Sequence, residues 1–254
     1  MEQIEFICLG SSSSGNAYVF KKNNESVLVE CGFEWKDLVR KLSLNNVELK
    51  SIKAVIVTHE HSDHCKSLPN LIGMGIPCFI PNSPKFAIYI GVKDNVYFLE
   101  EDKRFDLTSW LSVIPFPVCH DVISYGFVFC DTETKETILF INDTKMFDFK
   151  YKNYSVKYIF VECNHVRKQL EAMMQKALDD GNESRVYKLK RQSAYHMSLL
   201  ACKKFLRHQD LKKTDGIFLM HLSSECAQPE VMKAEIQETF GIKTFVCCKN
   251  GGIR

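Results

Sequence analysis

A chain of 254 residues, 45% hydrophobic and 25% charged, carries enough apolar sequence for a large packed core and too much for disorder. No apolar run approaches the roughly 18 residues of a membrane span, and MEQIEFICLG lacks the basic flank and small-residue site of a signal peptide, so neither a membrane nor secretion is expected. The formal charge of +2 hides an asymmetry: from His165 to Lys213 twelve Lys/Arg stand against five Asp/Glu, a local +7 that can face a polyanion or merely solvate two helices.

In chain order, strands are expected at 4–10, 17–20 and 26–30, with SSSSGN at 11–16 as a tight turn between the first two. Trp35, Leu38, Val39 and Leu42 fall on one stripe and predict a helix over 34–43. Ile52 and Ala54 to Val57 form a buried strand ending at Thr58. Residues 62–74 read as helical, with Leu68, Leu71 and Ile72 inward and Pro69 as an irregularity. IPCFI, NVYFL, SVIPF, YGFVFC and TILFI supply strands between 76 and 141, and KYIFVEC at 157–163 adds another. Leu170, Met173, Met174, Ala177 and Leu178 mark one helix; Leu199, Cys202 and Leu206 mark a second. GIFLM leads into His221, Met232, Ile236 and Phe240 stripe a last helix after Pro229, and IKTFVCC closes the chain. No Gly/Pro/Ser-rich linker divides these elements, so one α/β domain over 1–254 is expected, two sheets packed together with helices outside.

The eleven cysteines are odd in number, contain no C-x-x-C pair and sit mostly in apolar segments, which fits buried free thiols in the cytoplasm. The polar cluster H-E-H-S-D-H at 59–64 is different. Histidine and aspartate are costly to bury alone, yet a core strand delivers four of them at its end. His59 and His61 can turn toward one point, and Asp63 and His64 toward another nearby. These are donors that zinc or manganese accepts. Two close cations repel, so a shared carboxylate and a bridging hydroxide belong between them, with further histidines around. A lone histidine at a strand end is more often a turn residue than a ligand. His120, Asp143 and His221 gain weight together because each follows an apolar run, as His59 does.

THEHSDH resembles the signature of the metallo-β-lactamase fold, a four-layer αββα sandwich with a dinuclear metal site at the edge of its sheets. GSSSSGN, His120, FINDT, VECNH, YHMSLL and LMHLSS fall in an order similar to the YycJ (WalJ) branch, cytosolic hydrolases related to DNA exonucleases. The resemblance implies one divalent ion on His59, His61 and His120, and another on Asp63, His64 and His221, with Asp143 bridging. It also implies His196 near a scissile phosphate, supported by Glu162, with His165 a weaker candidate for the same neighbourhood. Glu30 stands where relatives usually carry aspartate, Glu225-Cys226 where they tend to have asparagines, and FINDT lacks their following glycine. The activity so implied is a metal-dependent phosphodiesterase, an exonuclease on DNA rather than RNA, with Asp63, His196 and Glu162 as catalytic residues. Two alternatives remain open at this point: hydrolysis of a small ester, lactone or cyclic phosphodiester, and a non-catalytic metal-binding scaffold. SSSSGN lacks the lysine of a phosphate loop, and no Ser-His-Asp set offers a rival chemistry.

Overall fold

The computed structural model describes residues 2–91, 94–145 and 156–254. Six strands lie side by side in chain order in the first sheet: β1 (Glu5–Ser12), β2 (Gly15–Lys22), β3 (Glu25–Val29), β4 (Ile52–Ile56), β5 (Cys78–Pro81) and β6 (Val96–Leu99). Seven do so in the second: β7 (Phe105–Asp106), β8 (Leu111–Pro117), β9 (Tyr125–Asp131), β10 (Thr137–Ile141), β11 (Val156–Glu162), β12 (Gly216–Met220) and β13 (Thr244–Val246). Each sheet opens with antiparallel strands and ends with parallel ones; the change falls at β3 and at β10.

Parallel neighbours need crossovers, and these supply the helices. α1 (Trp35–Leu44) joins β3 to β4, while α2 (Ser62–Cys65) and α3 (Leu68–Gly73) join β4 to β5. α4 (Arg167–Asp179), α5 (Glu183–Tyr195) and α6 (Leu199–Arg207) lie between β11 and β12, and α7 (Pro229–Phe240) precedes β13.

Period-2 alternation sorts the side chains into layers. Phe160 on β11 and Phe218 on β12 point between the sheets and stack at 4.4 Å, among Phe20, Phe129 and Phe140. Their neighbours Ile159, Val161, Ile217 and Leu219 point outward against Cys202 and Leu206 of α6 and Met232 and Ile236 of α7. On the first sheet Leu28, Val55 and Val57 meet Leu38 and Leu42 of α1 and Leu71 and Ile72 of α3. Strands covered on both faces read as continuous apolar runs, and truncating a core ring such as Phe160 to alanine costs about 3–5 kcal/mol. The result is the expected four-layer αββα sandwich.

Some local expectations change. β1 and β2 are longer than predicted and pair Ser12 with Gly15, leaving Ser13 and Ser14 as the turn. The helix expected over 62–74 is two, because Pro69 has no N–H to give and sits in the first turn of α3, where none is needed. The short β7 had no pattern to announce it. α5 was not expected either: only Val186 and Leu189 of its thirteen residues are buried. It starts where Asn182 accepts a hydrogen bond from the Arg185 amide at 3.0 Å. α4 and α5 share a small core of Leu170, Ala177, Val186, Leu189 and Cys226. All eleven cysteines are free, and no helix among the described residues is long and apolar enough to cross a membrane.

Candidate metal centre

The C-terminal ends of parallel strands open onto a crevice in folds of this kind, and here four such ends meet. Glu30 follows β3, Asp143 follows β10 and His221 follows β12, each with a left-handed backbone (φ 65°, 44° and 53°). That conformation costs an L-residue roughly 1–2 kcal/mol and is held only where the surroundings impose it. After β4 the chain runs through His59, Glu60 and His61 into α2, which carries Asp63 and His64. This loop rests on Gly32, where an added Cβ would lie 1.6 Å from the Asp63 carbonyl oxygen. Asn16 steadies it from the start of β2, donating to the Asp63 carbonyl at 3.2 Å. His120 is brought in by Thr144, whose hydroxyl accepts from the Cys119 amide and donates to the Cys119 carbonyl.

The structure gathers all seven residues singled out as ligands into two sets sharing Asp143. In one, His59, His61, His120 and Asp143 offer donor atoms within 4.8 Å of one another; in the other, Asp63, His64, His221 and Asp143 do. His61 Nδ1 lies 3.1 Å from His59 Nε2 and 3.2 Å from His120 Nε2. Asp143 Oδ2 is 3.8 Å from His59 Nε2 and 3.3 Å from His64 Nε2, so one oxygen faces both sets. Asp63 Oδ2 stands 3.5 Å from His64 Nε2 and 3.6 Å from His221 Nε2.

These residues fit divalent cations. Two nitrogens bound to one tetrahedral zinc at about 2.05 Å stand about 3.3 Å apart, close to the spacing of the three imidazoles. His221 Nε2 and Asp143 Oδ1 are buried without a hydrogen-bond partner, a costly state for polar atoms that a cation relieves. Burial works to raise the Asp63 and Asp143 carboxyls, but His64 and His221 hold both well below the usual range. Burial likewise pulls His221 down, yet Asp143, Asp63 and Glu162 push it up to about 10. Carboxylates that draw protons onto neighbouring imidazoles make a field that attracts positive charge.

Outer contacts orient the clustered side chains, as metal-binding histidines would require. Glu30, wholly buried, reaches His64 Nδ1 at 3.2 Å and accepts from the Thr58 hydroxyl and amide, so its extra methylene is accommodated. Glu162 at the end of β11 accepts from the amides of Thr144 and Met197 through Oε2 and holds His196 Nδ1 at 2.6 Å through Oε1. Burial lowers His196 and Glu162 more than offsets it, leaving the imidazole raised. The His196 ring stacks on His221 at 5.2 Å. His165 lies apart from the ligand sets, in a second cavity of about 260 Å³ behind His196 with Lys145 and Arg167, and burial pushes it down to about 4.

A cleft of about 300 Å³ opens over the two sets, and α5 forms one wall with Lys188, Arg191, Gln192 and Tyr195. These residues were missed, as were Asn16, Asp121 and Asn164. The usable signals were faint: the local +7 charge and Asp121 standing directly after His120.

Two sheets between helices, with this edge of strand ends, make the metallo-β-lactamase fold. Residues 12–108 match the metallo-beta-lactamase superfamily. A metallo-beta-lactamase fold protein, YhfI from Bacillus subtilis, superimposes with a TM-score of 0.75 at 16% identity, over 100% of this chain and 99% of that one. Human tRNase Z, short form, does so at 0.64 and 16%, over 88% and 93%. By sequence, exodeoxyribonuclease WalJ of Streptococcus pneumoniae (serotype 2 strain D39) is 33% identical over 60 residues, 24% of this chain. The match spans only 22% of that relative's length.

Proposed function

We propose that this chain is a metal-dependent phosphodiesterase, an exonuclease acting on DNA in the WalJ-like branch, working in the cytoplasm as one domain over residues 1–254. The observation that carries the reading is a pair of donor sets sharing Asp143 at the base of a cleft walled by Lys188 and Arg191. His59, His61 and His120 would hold one zinc or manganese ion, Asp63, His64 and His221 the other, and Asp143 both. Such ions supply Lewis acidity toward a phosphoryl group and make water acidic enough to attack near neutral pH.

The chain's own groups do the rest. Asp63, kept ionised, orients the attacking water while serving the second set. Lys188 and Arg191 give the cleft wall positive charge to meet the anionic backbone. With Nδ1 donating to Glu162, His196 has Nε2 left to give a proton to the departing oxygen. A ring carrying both protons is the imidazolium, which Glu162 stabilises and whose plane it fixes.

The test is nucleotide release from end-labelled DNA, RNA and a model diester by zinc- or manganese-loaded protein. Release from DNA is expected, and loss of it in His61→Ala and in Asp143→Ala; activity surviving either change removes the reading. A second reading, hydrolysis of a small ester, lactone or cyclic phosphodiester, is favoured by cleft size, since about 300 Å³ is the lower bound for small-molecule sites. DNA affinity would fall steeply with salt, whereas a small neutral substrate would respond little.

A further inference from the structure

Helix α5 reaches both donor sets, through adjacent side chains that each act by way of one intermediate residue. Arg191 pairs with Asp121, whose Oδ1 lies 3.4 Å from His61 Nε2 and 3.2 Å from His120 Nε2. Because His61 faces its neighbours with Nδ1, Nε2 is its outer nitrogen, the place where a carboxylate fixes a ligand ring. One turn on, the Tyr195 ring lies 5.8 Å from the Arg191 guanidinium and packs edge-on against His120 at 5.9 Å. Gln192, rotated about 100° from Arg191 around the helix, serves the other side. Its Nε2 donates to Asn164 Oδ1 at 2.7 Å, and Asn164 Nδ2 donates to the His221 carbonyl at 2.7 Å and reaches His221 Nδ1 at 3.3 Å.

We propose that α5 braces the two metal-binding sets independently: Arg191 positions His61 through Asp121, and Gln192 positions His221 through Asn164. This rests on the seven residues being metal ligands, and not on the identity of the substrate. Arg191, Asp121, Gln192 and Asn164 are positioning residues, since each acts on the ions through a ligand. The helix is otherwise weakly seated, on a small core shared with α4. The brace therefore gives a reason for a polar helix to lie against buried histidines. It also ties metal affinity to the cleft wall that carries Lys188.

Electrostatics gives the test its sign. Removing the Arg191 cation beside a cation site tightens metal binding if charge alone acts, and weakens it if positioning dominates. Full-length protein is titrated with zinc against a competing chelator, and His120→Ala and His221→Ala identify which binding step belongs to which set. Arg191→Leu and Asp121→Asn should weaken the His59/His61/His120 step about tenfold or more and leave the other within about threefold. Gln192→Leu should do the reverse, and Arg191→Lys should recover part of the loss. Tighter binding in Arg191→Leu, no change in either step, or equal shifts of both steps in each variant overturns the proposal. Selective shifts in a protein that leaves DNA intact would uphold the brace and remove the nuclease reading, so the two fail separately.

Discussion

The cleft is built from two regions with opposite kinds of support. The strand ends that carry the seven candidate ligands stand on three apolar layers and on backbone fitted to within contact distance, as at Gly32 and Asp63. The α4–α5 hairpin facing them buries only four of its own residues, with Cys226, in its core and pairs its surface through exposed contacts such as Arg167 with Glu171 at 2.9 Å. Exposed helical pairs contribute about 0.3–0.5 kcal/mol each, so the hairpin depends on what it touches. The sandwich fixes where the candidate ligands lie, and the hairpin that covers them has a much smaller core to hold it. In such an arrangement a loss in the sandwich should be global and a loss in the hairpin local.

The largest effect expected tests the close fit on the sandwich side. In Gly32→Ala the new methyl would meet backbone atoms of Asp63 and His64, the nearest at 1.6 Å, and backbone cannot swing aside as a side-chain tip can. Either the protein loses more than about 4 kcal/mol, or the loop from His59 to Cys65 moves and metal stoichiometry falls. Urea unfolding together with metal analysis reads both. Wild-type stability with two ions bound would show that the loop is not fixed by this contact.

A second, smaller loss is expected where the two sheets are joined by charge. Lys22 of β2 has a fully buried side chain and places Nζ 2.8 Å from Asp131 Oδ2 of β9 and 2.8 Å from Glu133. Burial raises the Asp131 carboxyl, but Lys22 and the amides of Glu133 and Thr134 win and hold it below the usual range. Burial lowers Lys22, but its two carboxylate partners raise it. Asp131 then stabilises the fold above its unfolded pKa of about 3.9, and that contribution is lost as pH falls through the lower folded value. The Lys22 share is present below about 10.4 and is lost as pH rises through the higher folded value. Asp131→Ala should cost about 3 kcal/mol near pH 7, with Glu133 left as a partial partner, and less at pH 3. Unfolding curves at the two pH values check it; an equal loss at both would mean that packing rather than charge joins the sheets here.

The contrast also accounts for what the sequence could and could not show. The ligand-bearing strands are covered on both faces, so Ala54 to Val57 and Gly216 to Met220 are unbroken apolar runs that end in His59 and His221. A buried apolar run followed by a buried polar residue is a conflict visible without coordinates. Asp121, Asn164 and Arg191 raise no such conflict, since each is an ordinary polar residue until folding sets it beside a ligand. α5 was invisible for the same reason: a helix that seats two apolar residues leaves too weak a period to read. The positive φ angles at Glu30, Asp143 and His221 likewise follow from tertiary fit and no local propensity announces them, whereas the Pro69 break follows from a local rule that the sequence displays.

The smallest effect asks whether the hairpin answers for itself. Asn182 accepts from the Arg185 amide at 3.0 Å and is the side-chain cap of α5. Asn182→Ala should cost about 1 kcal/mol, which speeds hydrogen exchange of α5 amides about fivefold if the hairpin opens on its own. The global unfolding free energy should then change by less than about 0.5 kcal/mol, because a region that opens separately takes its loss locally. Amides of β4, β10 and β12 should keep their protection. If instead the full loss appears in global unfolding and the α5 amides exchange only with the strands, the hairpin is part of the same cooperative unit. The contrast between a fixed ligand edge and a weakly held wall would then be wrong.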